Sequence, residues 1–271
     1  MREASAATLS SALGLDLETP RRKALVVALV GAGGKTSAAF ALAREGVDSR
    51  VALTTTTMIR DPRLEEGRSF DRVAVDEGRA ATISPRAGAG PLILASGVDE
   101  AAGKLRGSAG GRVEALSGCC DLMLVEADGS RGLSVKAPAA WEPVVPACAD
   151  LVVGLIGLDC LGELLGPRTA HRPEILGSIV GCAQGEALRA EHLVRLAASP
   201  EGLFKGAPVG ARCAILLNKS DAASSDEARK LVELLMRGQG RAELVVVCSL
   251  RGETARVDSV VELRRAAEAW A

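Results

Sequence analysis

The chain has no tyrosine, and its few phenylalanines and tryptophans bring the aromatic content to only 2%. Single-stranded nucleic acid is gripped largely by stacking bases on aromatic side chains, so a platform of that kind is excluded. Charge of one sign is also lacking: 33 basic residues face 34 acidic ones, for a net charge of −1, and Lys and Arg are scattered rather than clustered. No long-range attraction to nucleic acid or to an anionic membrane surface follows from such a balance. Long hydrophobic runs are missing as well. The run over 151–158 has eight residues, where a bilayer needs about 20. No basic start followed by an apolar block of the secretory-leader kind is visible near the N-terminus. Neither nucleic acid nor membrane is therefore expected as a partner. Seven cysteines, an odd number without any C-x-x-C pair, suit reduced thiols in a cytoplasmic protein. The adjacent Cys119-Cys120 pair alone keeps a metal or redox role open. The oligomeric state is not legible.

What is present is a chain of 271 residues, 48% hydrophobic and 25% charged, long enough to bury a large core. Short apolar runs rich in Val, Ile and Leu fall at 25–30, 51–55, 91–95, 122–125, 151–156, 214–217 and 244–247. Runs that do not alternate fit strands buried on both faces of a parallel sheet. Helix-length periodic segments lie at 38–44, 99–106, 112–117, 185–198, 226–237 and 258–269. The alternation predicts an α/β fold, doubly wound, with a mainly parallel sheet of P-loop NTPase type and helices on both faces. Residues 1–23, with Leu9, Leu13 and Leu15 on one helical face, read as an N-terminal arm. Residues 24–271 then form the nucleotide-binding domain, with 162–208 a mostly helical insert or lid.

Gly31-Ala32-Gly33-Gly34-Lys35-Thr36-Ser37 sits between the first predicted strand and a predicted helix, the layout of a phosphate cradle. Glycines let backbone N–H groups turn inward on an anion, Lys35 adds a full charge, and Thr36 offers a hydroxyl to Mg²⁺. The helix dipole supplies only about 0.3–1 kcal/mol, so Lys35, the metal and the N–H groups carry most of the binding. The full P-loop pattern would need glycine where the chain has Leu29; the loop here is the shorter form.

The run 122–125 ends in Glu126-Ala127-Asp128-Gly129, the layout of a strand that holds Mg²⁺ directly or through water. The run 214–217 ends in Asn218-Lys219-Ser220-Asp221, and Ser249 follows the next apolar run. This N-K-x-D element resembles the guanine-reading loops of GTPases, in which a carboxylate accepts hydrogen bonds from the base. Such a bond is worth about 1.5–3 kcal/mol. The plainer alternative is a polar turn with Asp221 capping a helix. Thr54 to Thr57 end the second run with hydroxyls that would face phosphate or Mg²⁺. Further on, Lys136 and Glu142 stand in a proline-bearing loop as contacts to a substrate or γ-phosphate, the alternative being solvated surface charges. His171 and Arg172 open a helix in the insert and are read as binding or catalytic; His192 is read as structural.

The glycine loop, the Glu126-Ala127-Asp128-Gly129 strand end, Lys136-Ala137-Pro138 with Glu142-Pro143, His171-Arg172-Pro173-Glu174 and Asn218-Lys219-Ser220-Asp221 together resemble the YqeC family. That resemblance implies an accessory protein of selenium-dependent molybdenum hydroxylases, whose partners would be a molybdenum hydroxylase or its cofactor-maturation proteins. The short glycine loop is also similar to that of the ATP-dependent Mur ligases, and the N-K-x-D element to GTPase metallochaperones. Glu126 departs from the aspartate usual in GTPases.

The expected function is a Mg²⁺-dependent nucleoside triphosphate hydrolase, preferring GTP over ATP and serving maturation of such a hydroxylase. Lys35, Glu126 and Asp128 are the candidate catalytic residues, and Thr36, Glu126 and Asp128 the candidate metal ligands. The cofactor would be bound by 31–37 with Asn218, Lys219, Asp221 and Ser249, and the substrate would be touched by Thr56, Lys136, Glu142, His171 and Arg172. An ATP-dependent kinase or ligase acting on a small molecule, and a nucleotide-binding scaffold or switch without turnover, are the alternatives.

Overall fold

Buried apolar runs become the strands of the computed structural model, which describes residues 8–17, 23–64, 72–75, 85–108, 110–238, 240–252 and 254–263. The strands are β1 (Leu25–Gly31), β2 (Val51–Thr55), β3 (Met58–Arg60), β4 (Val73–Val75), β5 (Leu92–Ala95), β6 (Gly97–Asp99) and β7 (Lys104–Arg106). They continue with β8 (Leu122–Glu126), β9 (Val135–Lys136), β10 (Leu151–Gly157), β11 (Ala170–His171), β12 (Arg212–Asn218), β13 (Leu244–Ser249) and β14 (Arg256–Glu262). The helices are α1 (Leu9–Ala12), α2 (Lys35–Glu45), α3 (Gly110–Ser117), α4 (Pro173–Val180), α5 (Ala190–Ala198) and α6 (Ser225–Arg237).

Nine strands form one sheet in the order β14-β13-β12-β10-β1-β8-β2-β5-β4. Every ladder in it is parallel except that of β13 with β14. Successive strand residues face opposite sides, so Val26, Ala28 and Val30 join the core beneath α3, α5 and α6, while Val27 and Leu29 join the core beneath α1 and α2. Both faces are covered, which makes the fold α/β and doubly wound. The chain leaves β1 toward β8 and β2 and later returns to its other side at β10. In open α/β sheets such a switch point leaves a crevice at the carboxyl strand ends.

Two sequence expectations fail here. The helix expected over 99–106 is a hairpin of β6 and β7, because Gly103 turns the chain at φ 60°, Asp99 accepts from the Ala102 N–H, and Leu105 is buried opposite Val98 and Ile59. The helix expected over 258–269 is strand β14 as far as Glu262; Val257, Val260 and Val261 are β-branched and suit an edge strand. Residues 264–269 of that segment lie outside the described residues. Within 162–208 the regular elements are α4, α5 and the two-residue β11 paired to β9, and more than half of the segment is turn and irregular chain. Leu9 and Leu13 are fully buried with α2. Among the described residues no helix is long and apolar enough to cross a membrane.

Candidate functional site

The loop between β1 and α2 has φ of 87°, 88° and 125° at Gly31, Gly33 and Gly34, a region that glycine alone occupies without strain. Space makes the same demand: a Cβ on Gly31 would strike the Leu155 carbonyl, one on Gly33 the Gly157 backbone, and one on Gly34 the Asn218 amide. Three of the loop's N–H groups are used by the protein itself. Gly31 donates to Asp128 Oδ2 at 3.1 Å, Ala32 to the Leu155 carbonyl at 3.0 Å and Gly33 to the Leu133 carbonyl at 2.9 Å. The groups open to an anion are therefore those of Gly34, Lys35, Thr36 and Ser37, the first turn of α2, which lack acceptors among the described residues.

Behind this turn runs a chain of alternating charges. Lys35 is only 2% exposed; its Nζ donates to the Gly31 carbonyl at 2.6 Å and lies 3.2 Å from Asp128 Oδ1. Lys136 Nζ lies 2.9 Å from Asp128 Oδ2 and donates to the Gly129 carbonyl at 2.8 Å and to Glu142 Oε2 at 2.7 Å. Arg172 closes the row, with Nη1 and Nη2 on the two oxygens of Glu142 at 2.6 and 3.1 Å. Lys136 and Glu142 are thus not solvated surface charges: Lys136 is 2% exposed. An ion buried alone would cost several kcal/mol, and alternation of sign is what offsets it. Burial opposes ionisation of Glu142, but the hydrogen bonds from Arg172 and Lys136 outweigh it and hold the carboxyl down to about 2.

The Thr36 hydroxyl donates to Glu126 Oε2 at 2.8 Å. Burial pushes the Glu126 carboxyl up, against the pull of Lys35 and the Thr36 hydroxyl. Asp128 Oδ1, on the buried side of the same strand end, receives no hydrogen bond. A hydroxyl and two carboxylates are hard oxygen donors and fit Mg²⁺, which keeps several waters and takes phosphate oxygens. Among the described residues no cluster of three His, Cys, Asp or Glu could hold a metal by itself, so a cation here would depend on phosphate and water for its remaining ligands. The threonine run behaves differently from the expectation. Thr54, Thr55 and Thr56 donate to the carbonyls of Leu94, Glu126 and Val144 at 2.8, 2.8 and 3.0 Å, stitching β2 to its neighbours and to the loop after β9.

At the end of β12, Asn218 Nδ2 donates to the Gly33 carbonyl at 2.7 Å and its Oδ1 accepts from the Leu250 N–H at 2.9 Å. Lys219 has a left-handed backbone, φ 64°, and reaches Ser134 Oγ at 2.7 Å and Asp159 Oδ2 at 2.8 Å. Both side chains build the loop. Asp221 and Ser249 are brought together: the serine hydroxyl donates to Asp221 Oδ1 at 2.7 Å and holds its carboxyl below the usual value, with Arg251 Nη1 3.2 Å from the other oxygen.

The pairing of β11 with β9 sets His171 opposite Lys136. Burial, then the charges of Arg172, Lys136 and Arg131, push the imidazole below its ordinary value. His192 is buried at the start of α5, where Nδ1 accepts from the Arg189 N–H at 3.2 Å, a capping role. All seven cysteines are unpaired, and burial pushes the Cys120 thiol up to about 12, which makes it inert. Ser134, Asp159, Arg251 and Trp141 also stand at the site, outside the motifs that mark it in the sequence. Asp159 carried a usable signal: it follows the apolar run of β10 as Glu126 ends that of β8.

The family model described as YqeC protein matches residues 27–174. The protein named "Uncharacterized protein YqeC" from Escherichia coli (strain K12) is 34% identical over 213 residues, covering 77% of this chain and 81% of that protein. No solved structure matches the chain.

Proposed function

This chain belongs to the YqeC family, and from that premise we propose that it binds a nucleoside triphosphate with Mg²⁺, prefers GTP, and hydrolyses it as an accessory factor in maturation of a selenium-dependent molybdenum hydroxylase. One observation carries the nucleotide part. The open N–H groups of Gly34 to Ser37, the Lys35 ammonium and the Thr36–Glu126 contact meet at one strand edge. Lys35 would neutralise charge on the transferred phosphoryl group. Thr36 with Glu126 or Asp128 would hold Mg²⁺, which when bound supplies positive charge to the phosphate oxygens. The second carboxylate would orient the attacking water. Asp221, held by Ser249 and beside Arg251, would accept from guanine. The accessory role rests on the resemblance alone.

A panel of GTP, ATP and CTP competing against a fluorescent GTP analogue, with and without Mg²⁺ and followed by a phosphate-release assay, tests the reading. Mg²⁺-dependent displacement by GTP at the lowest concentration supports it. Equal displacement by ATP removes the base assignment, and no displacement at all overturns the nucleotide site. The charge row extending from Lys35 to Arg172 favours a second reading, in which the phosphoryl group passes to a small acceptor; nucleotide would then be consumed only when the acceptor is present.

A further inference from the structure

Among the described residues three that are not glycine hold a left-handed backbone: Arg131 at φ 53°, Arg172 at 60° and Lys219 at 64°. All are basic. Such a conformation strains a bulky residue and persists only where the surroundings demand it. For Lys219 the demand is Ser134 and Asp159, and for Arg172 it is Glu142. Arg131 has no such partner: its guanidinium makes no hydrogen bond or ion pair among the described residues, and it is exposed. Gly129 and Gly132, on either side of it, face open space, since a Cβ on either would meet nothing within 4 Å. His171 is half-buried, and its imidazole also makes no hydrogen bond among the described residues. The carboxylate at this end, Glu142, is fully engaged by Lys136 and Arg172. Positive charge is left in excess here, beside an imidazole whose protonation burial and the neighbouring charges disfavour and which in its neutral form donates one N–H.

We propose that Arg131, His171 and Arg172 form a second oxyanion subsite, distinct from the glycine loop, which takes the carboxylate or phosphate group of a small-molecule acceptor. The proposal deepens the reading above and rests on it only in assigning the first turn of α2 to the nucleotide. Trp141 forms the wall: its ring lies 5.7 Å from the Arg172 guanidinium, and it is 72% exposed. Any ligand that draws Arg172 changes the environment of that indole.

The test is a fluorescence titration of Trp141, in the full chain carrying Trp270→Phe, with inorganic phosphate in one arm and succinate in the other. A saturating non-hydrolysable GTP analogue and Mg²⁺ fill the glycine loop, and the titration is repeated without them. Saturable binding of either probe in the presence of the analogue is expected, weakened at least tenfold by Arg131→Gln and by His171→Gln; the tighter probe identifies the acid. Arg131→Gly guards against a folding artefact, because it relieves the left-handed strain: melting temperature should rise while phosphate affinity falls. Affinities unchanged in these variants overturn the proposal, as does a phosphate signal abolished by the analogue. Should the analogue fail to bind while the variants still weaken phosphate binding, the subsite stands and the nucleotide reading falls.

Discussion

The Thr36 hydroxyl meets the Glu126 carboxylate at 2.8 Å, joining the first turn of α2 to the end of β8 across 90 residues of chain. Were a cation to bind as proposed, this hydroxyl, held on a carboxylate that burial makes reluctant to ionise, would exchange that bond for a shared ligand position. On the proposed reading Mg²⁺ would raise GTP affinity, and Thr36→Ala and Glu126→Gln are each expected to remove that gain, about 10- to 100-fold for the loss of a charge-assisted contact. Fluorescent-nucleotide titrations with and without Mg²⁺ read this directly. A Mg²⁺ gain as large as in the unmodified chain would sink the metal assignment.

Lys35 and Lys136 share Asp128 but differ in what their loss strands. Without Lys35, Asp128 keeps Lys136 and the Gly31 N–H. Without Lys136, both Asp128 and Glu142 lose a buried partner. Lys35→Ala is therefore expected to abolish hydrolysis at a stability cost of about 1–3 kcal/mol, against about 3–5 kcal/mol for Lys136→Ala. Denaturant unfolding beside phosphate release separates the two, and equal stability losses would contradict the charge row.

The runs that became β1, β8, β10 and β12 were legible because strands buried on both faces need unbroken apolar sequence, and Glu126, Asp128 and Asn218 could be placed by standing at or beside their ends. The hairpin of β6 and β7 was not. Its residues include good helix formers, and what decides its fold is the burial of Leu105 against Val98 and Ile59, contacts invisible to a local pattern. The charge row was half legible: Lys136, Glu142 and Arg172 each drew attention, but their pairing depends on β9 meeting β11 across the chain. Nothing in the sequence marked Arg131 as left-handed. The threonine run misled because hydroxyl content alone does not say whether a phosphate or a carbonyl will receive the proton.

Base selection should respond to Asp221. Asp221→Asn converts an acceptor pair into one acceptor and one donor, which suits xanthine rather than guanine. Preference is expected to move from GTP toward xanthosine triphosphate by about 10- to 100-fold, the worth of one charged hydrogen bond. Competition titrations with both nucleotides measure it, and an unaltered ratio would refute guanine reading.

Acid stability should carry the mark of Glu142. Its carboxyl sits at about 2 in the folded chain, below its ordinary 4.5. A depressed value contributes stability that is complete above the ordinary value and is lost as pH falls through the folded one. After solvent screening the contribution is on the order of 2 kcal/mol. The stability gap between the unmodified chain and Glu142→Gln should be full near about pH 6 and should shrink as pH falls from 4.5 toward 2. Urea unfolding across that range provides the measurement, and a gap independent of pH would count against the pairing.

Two glycines with similar backbones should tolerate alanine unequally. Gly33 at φ 88° leaves no room for a Cβ beside Gly157, whereas Gly132 at φ 76° faces open space. Gly132→Ala should cost only the conformational strain, about 1 kcal/mol, while Gly33→Ala should cost more than about 2 kcal/mol and eliminate nucleotide binding. Melting curves for the two variants make the comparison.

Asn218 spends its amide N–H on the Gly33 carbonyl and its amide oxygen on the Leu250 N–H. A single planar group thereby spans the segment that would touch phosphate and the segment that would touch the base, with little slack in either bond. The two cannot shift independently: a ligand that lifts the glycine loop must drag residues 248–250 with it or break a buried bond. A ligand held at one end would thus be felt mechanically at the other.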